Sequence, residues 1–189
     1  MSRFVIGVLV LVLGAASGFS QSRRGQRIPP QSQPSIITIQ QVDFKNYTLT
    51  LNGKAYKLID GFYAETLGPD LQWALEMADG PYFGDLTGDK KEEVAFILRY
   101  GNIGAPKTAE ARVYTLQNGR LVLLETFAVA EEVSCELDHY MKIEDGTISL
   151  ERIYANGGRC DHNEITQYRW NGTRFMPVGN TKRAACRCM

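Results

Sequence analysis

The sequence predicts an all-β fold, an antiparallel meander of β-hairpins closing into a sandwich or barrel-like single domain. Three observations predict it. Asn52-Gly53, Asn118-Gly119, Asp145-Gly146 and Asn171-Gly172 punctuate the chain, and each fits a type I′ turn, where both central residues need positive φ. The flanks of these turns alternate apolar with polar residues and are rich in aromatic and β-branched side chains, the period of a strand. The last three turns fall 27 and 26 residues apart. That spacing fits a meander, because the segments share little beyond the turn itself.

The elements follow in chain order. Residues 1–20 carry Arg3, the apolar run Phe4 to Leu13 and then the small residues Gly14 to Ser20. This is the pattern of a secretory signal peptide, with cleavage after Gly18 or Ser20 and Ser20 favoured. The apolar core is shorter than the ~20 residues a spanning helix needs. Arg23, Arg24 and Arg27 lie just beyond and oppose translocation, so an uncleaved N-terminal anchor stands as the minor alternative. Residues 21–35 are rich in Gln, Ser, Pro and Arg, with only Ile28 apolar, and read as a flexible leader.

Residues 36–180 form the β-rich domain. Tyr47, Leu49 and Leu51 alternate with Thr48 and Thr50 before the first turn. The segment from Asp70 to Ala78 fits two patterns. A helix would place Leu71, Ala74, Leu75 and Ala78 on one stripe; a strand would alternate Trp73, Leu75 and Met77 with polar neighbours. The strand is favoured, because a short apolar run is not settled by period alone. Val94 to Tyr100 is apolar on both faces and reads as a central buried strand. Residues 181–189 form a basic, Cys-containing tail.

Removing residues 1–20 takes away one charge, Arg3, and leaves 20 basic against 21 acidic residues. So balanced a chain has no electrostatic footprint for nucleic acid or for an anionic membrane, and no membrane insertion of the mature chain is expected. In an exported protein Cys135, Cys160, Cys186 and Cys188 are expected in disulfides. Cys135–Cys160 is the favoured pair. The alternative ties the tail to the body through Cys186 or Cys188.

Two groups of residues offer chemistry. The first is the loop from Tyr82 to Glu93, where Asp85, Thr87, Asp89 and Glu93 present oxygen donors at alternate positions or nearly so. Oxygen-rich loops of this kind hold Ca²⁺. An EF-hand is excluded, because its glycine at position six is Lys90 here and its glutamate at position twelve is Phe96. The competing reading is a turn built by Gly88 and Asp89, with Asp85 and Thr87 bonding loop amides through their side chains and Glu92 and Glu93 paired at the surface with Lys90, Lys91 or Arg99. The second group is Cys135, Asp138 and His139 with Cys160, Asp161 and His162. Bridging Cys135 to Cys160 would bring the two Asp-His pairs together, and two imidazoles with two carboxylates could hold Zn²⁺ or Cu²⁺. No nucleophile elbow, phosphate loop or His-Glu-x-x-His motif is present.

The acidic loop resembles the Asp-x-Asn-x-Asp-Gly-x-x-Asp calcium loop of FG-GAP and VCBS-type repeats. Asp85, Asp89 and Glu93 match in kind, Thr87 stands where Asn or Asp is usual, and Lys90 where Gly is usual. The order Asp43-Phe44-Lys45-Asn46-Tyr47-Thr48, Gly84-Asp85-Leu86-Thr87-Gly88-Asp89 and Tyr114 to Gly119 is similar to a group of small exported bacterial proteins. That likeness implies no activity. It implies that the loop is a turn between two strands at the heart of the domain.

The expectation is therefore a secreted or periplasmic envelope protein acting as a non-catalytic binding or structural module, its partner an envelope protein or glycan. A Ca²⁺-stabilised adhesion module using residues 85–93 is one alternative. A small enzyme or Zn/Cu protein centred on His139 and His162 is the other.

Overall fold

The computed structural model describes residues 38–105, 107–133, 141–157 and 159–186. Two short 3-10 turns, Ile39–Gln41 and Phe44–Asn46, lead into the strands. These are β1 (Thr48–Leu51), β2 (Lys54–Lys57), β3 (Phe62–Gly68), β4 (Leu71–Gly84), β5 (Glu93–Asn102), β6 (Lys107–Gln117), β7 (Arg120–Val133), β8 (Met141–Glu144), β9 (Thr147–Asn156), β10 (Arg159–Trp170) and β11 (Phe175–Ala184). The signal peptide and leader expected over residues 1–35 lie outside the described residues.

The turn dipeptides act as expected at three of four sites. Asn52-Gly53, Asn118-Gly119 and Asp145-Gly146 all hold positive φ at both positions and join β1 to β2, β6 to β7 and β8 to β9. Asn171-Gly172 joins β10 to β11 by a different route. Only Gly172 has positive φ, and Asn171 Oδ1 accepts the amides of Thr173 and Arg174, each at 3.0 Å. The connection is a four-residue loop built on an Asn side chain. A further type I′ turn at Asp60-Gly61, with φ of 52° and 84°, reverses the chain into β3. The segment from Asp70 to Ala78 falls in β4 and pairs with β3 and β5, so the strand pattern prevails.

Strands β11-β10-β9-β7-β6-β5-β4-β3 form one long sheet, and β8 pairs with the first half of β9. Neighbours are antiparallel except β7 and β9, which meet in parallel at Ala130 and Ile153. The sheet ends at β3 and at β11, so the barrel expectation is corrected: the body is a sandwich. Its two halves are drawn together over a shared core, because each half has one apolar face to bury. Ala95, Ile97, Ala111 and Val113 from one half meet Ile148, Leu150 and Phe175 from the other. At Gly84 a Cβ would lie 2.6 Å from Ile143 Cγ2 on β8, so a larger residue would have to push that side chain aside.

Strand β5 shows why its sequence is apolar on both faces. Ala95 and Ile97 enter the shared core, while Val94, Phe96 and Leu98 enter a second core on the opposite face. Ile39, Phe44, Leu49, Leu51 and Tyr56 cover that second core, so the β1–β2 hairpin and the 3-10 turns form its lid. Phe96 lies 5.6 Å from the Phe44 ring and stacks on Tyr114 at 5.5 Å.

Two expectations at the C-terminal end are revised. The domain does not end at residue 180, because β11 pairs with β10 through Ala184. Cys160 is bonded to Cys186, and the expected Cys135–Cys160 pair is not formed. The physical reason is the hairpin. Cys160 opens β10, Cys186 lies just past β11, and antiparallel pairing brings their Cα atoms to 6.0 Å. Loop length alone could not separate the two pairings. Cys135 and Cys188 lie outside the described residues. Replacing both Cys160 and Cys186 by Ser is expected to lower stability in urea unfolding by about 2–3 kcal/mol. A loss below about 0.5 kcal/mol would mean that the strand pairing holds the tail without the bond.

Tyr100, on β5, gives the fold an alkaline signature. Burial first, and then the nearby Glu110 carboxylate that accepts its hydroxyl at 3.2 Å, push its phenol up to about 12. The unfolded phenol ionises near 10. As pH rises through that window the unfolded chain sheds its proton first, so the contribution is whole below pH 10 and lost by about pH 12. The ring is partly open, and solvent screening reduces the effect to the order of 1 kcal/mol. Unfolding measured from pH 9 to 12 is expected to show the decline, and Tyr100→Phe to flatten it.

Candidate functional site

The loop between β4 and β5 is built from its own carboxylates. Glu93 begins β5 and is fully buried. Its Oε2 accepts the amides of Leu86 at 2.8 Å and Thr87 at 3.0 Å. Its Oε1 accepts the hydroxyls of Thr115 at 3.1 Å and Thr87 at 3.3 Å. Asp85 Oδ1 takes the Gly88 amide at 2.6 Å, and Oδ2 the Lys90 amide at 3.0 Å. Asp89 accepts the Lys91 amide at 2.9 Å. That amide, with the Lys91 ammonium beside it, holds the Asp89 carboxyl below the usual carboxylate range. Lys90 adopts φ of 66°, the left-handed backbone its position demands. Leu86 is buried in the shared core and pins the loop from below.

This donor set does not fit a Ca²⁺ cage. Calcium takes six to eight oxygens converging on one point. Here Glu93 points inward to four protein donors, Asp85 closes over the loop amides, and Asp89 faces Lys91. Among the described residues no three His, Cys, Asp or Glu side chains converge as metal ligands. The turn reading holds for Asp85, whose carboxylate takes two loop amides. It does not hold for Glu93, which is buried on four donors instead of paired with a basic side chain at the surface, nor for Thr87, whose hydroxyl donates to Glu93.

The second group is brought together in part. Cys135, Asp138 and His139 lie outside the described residues. With Cys160 bonded to Cys186, the link that would draw His139 towards His162 is not the one formed. Asp161 and His162 do meet, although adjacent strand residues ordinarily face opposite ways. The register slips between Cys160 and His162, leaving Asp161 as the extra residue of a bulge. Asp161 Oδ2 then lies 2.7 Å from His162 Nδ1, and Glu164 Oε1 is 3.6 Å from Nε2. The His162 ring stacks on Tyr154 of β9 at 4.7 Å with only 8° between planes.

That stack leads to a cleft of about 440 Å³ that the sequence did not reveal. It lies at the parallel seam of β7 and β9. Thr108, Ala128 and Ala130 are among the small residues that line it, with Glu131, Arg152 and Tyr154 supplying polar groups. The Arg152 guanidinium sits 5.0 Å from the Tyr154 ring centre and 3.9 Å from Glu131. Burial, and then a hydrogen bond with Glu164, push the Tyr154 phenol up. No local motif marks these residues. They come together only because β7 and β9 meet in parallel, a pairing that turn dipeptides between consecutive strands do not encode.

No family model matches the chain, and comparison with curated proteins and with solved structures finds no match.

Proposed function

We propose that the protein is an exported, non-catalytic binding module of the bacterial envelope, with the β7–β9 cleft as its ligand site. The observation that carries this reading is the division of labour among its polar groups. The acidic loop turns its carboxylates on its own amides. The cleft has a volume in the range of small-molecule sites, and Thr108, Glu131, Arg152 and Tyr154 give it polar groups. The N-terminal apolar run supports export.

Calorimetric titration and thermal melting with millimolar Ca²⁺ are expected to give no saturable heat and no shift in melting. A shift that Asp89→Asn abolishes would transfer the role to the loop. Incubation with ester, glycoside, peptide and phosphoester substrates is expected to give no turnover. Turnover that disappears when Glu131 or His162 is changed would replace the binding module with an enzyme.

A further inference from the structure

We propose that the cleft takes a small aliphatic carboxylate, anchored by Arg152, with Glu131 as the resident competitor that the ligand displaces. This rests on the reading of the cleft as the ligand site.

Arg152 is placed but not spent. Its guanidinium is held over the Tyr154 ring, and Tyr154 is backed by the His162 ring on the neighbouring strand. His162 is flanked at both ring nitrogens by Asp161 and Glu164. The guanidinium is therefore supported from β10 as well as β9. Yet among the described residues it donates no hydrogen bond, and its nearest carboxylate, Glu131, stays at 3.9 Å. An exposed pair at that distance is worth little and is readily exchanged. Five donors in a planar fork match a carboxylate in two parallel bonds.

The rest of the cleft narrows the ligand class. Ala128, Ala130 and Ala155 are small lining residues that leave room for a short aliphatic body, and Thr108 offers a single hydroxyl. The single guanidinium charge matches a monoanion once the exposed Glu131 carboxylate has swung aside. A dianion such as phosphate would meet Glu131 with its second charge uncompensated.

The test uses the full chain and three probes: N-acetylalanine, its primary amide and inorganic phosphate. Binding is followed by calorimetry and by the Arg152 Nε–H resonance. The acid is expected to bind at millimolar concentration or better, and the amide about tenfold more weakly or worse, as loss of a charge-assisted pair requires. Arg152→Gln is expected to weaken the acid about tenfold. Glu131→Gln is expected to tighten it severalfold by removing the competitor, an effect that a structural ion pair would not produce. Both side chains are substantially exposed, so both variants are expected to melt as the parent does. Equal binding of acid and amide, parent-like binding by Arg152→Gln, tighter binding of phosphate or no binding of the acid would each overturn the proposal. Neutral ligands that bind in the cleft while the acid fails would overturn the carboxylate class alone and leave the binding module standing.

Discussion

Glu93→Ala is expected to destabilise the protein by about 3–5 kcal/mol, because it leaves several buried donors without an acceptor. The carboxylate is inaccessible to solvent and holds four donors. Truncation leaves the amides of Leu86 and Thr87 and the Thr115 hydroxyl without their acceptor, and each orphaned buried group costs about 1–3 kcal/mol. The loop would also lose the anchor that sets Leu86 into the shared core. Glu93→Gln keeps the shape but turns a donor towards donors, so about 2 kcal/mol is expected. Asp89→Ala serves as the contrast. Asp89 is on the exposed side of the loop, and its loss is expected to cost under about 1 kcal/mol. Urea unfolding of the three variants, with and without Ca²⁺, measures this ordering. Equal losses for Glu93→Ala and Asp89→Ala would refute the loop architecture. Rescue of either by Ca²⁺ would return the loop to the calcium reading.

The acidic loop also shows how far sequence reasoning reached. Its position before a buried strand is legible, because it is local. So are the hairpins, since two residues of positive φ leave a clear trace in Asn-Gly and Asp-Gly. Asp60-Gly61 carries the same dipeptide, but the residues beside it, Leu58-Ile59 and Phe62-Tyr63-Ala64, show no clean alternation. The role of Glu93 was not legible. A glutamate among Asp85, Asp89 and Glu92 reads as a cation ligand or a surface acid, and only its register at the head of β5, opposite Gly84, turns it inward. The cleft and the Cys160–Cys186 bond depend on contacts far apart in sequence. The bond could have been found from the β10–β11 hairpin, had Asn171 been followed to strands of equal length on either side. The parallel meeting of Ala130 with Ile153 has no such signal, and with it Arg152 and Glu131 stayed hidden.

Arg112→Ala is expected to cost about 3–5 kcal/mol and to loosen one part of the protein before the rest. Arg112 stands on β6 on the face covered by the β1–β2 hairpin, and its side chain is 6% exposed. Nε donates to Glu110 Oε1 at 2.5 Å, and Nη1 donates to the Thr50 carbonyl at 2.6 Å and approaches the Tyr114 hydroxyl at 3.3 Å. The Thr50 bond crosses from the long sheet to the two-stranded one. It fixes the hairpin whose Leu49 and Leu51 cover the second core. Removing the guanidinium strands the Glu110 carboxylate in a poorly solvated site with Tyr100 as its remaining donor. The Thr50 carbonyl loses its partner at the same time. Hydrogen exchange is expected to show amides of residues 48–57 losing protection ahead of those in β5 and β6, because the hairpin holds to the body through side chains rather than a shared ladder. Converting Arg112 to Met together with Glu110 to Gln is expected to recover at least half of the loss, since the desolvation of two charges disappears with them. A double variant as unstable as Arg112→Ala would mean that the bond to Thr50, and not the buried charge pair, carries the stability. Uniform loss of protection across both sheets would mean that the hairpin and the body unfold as one unit.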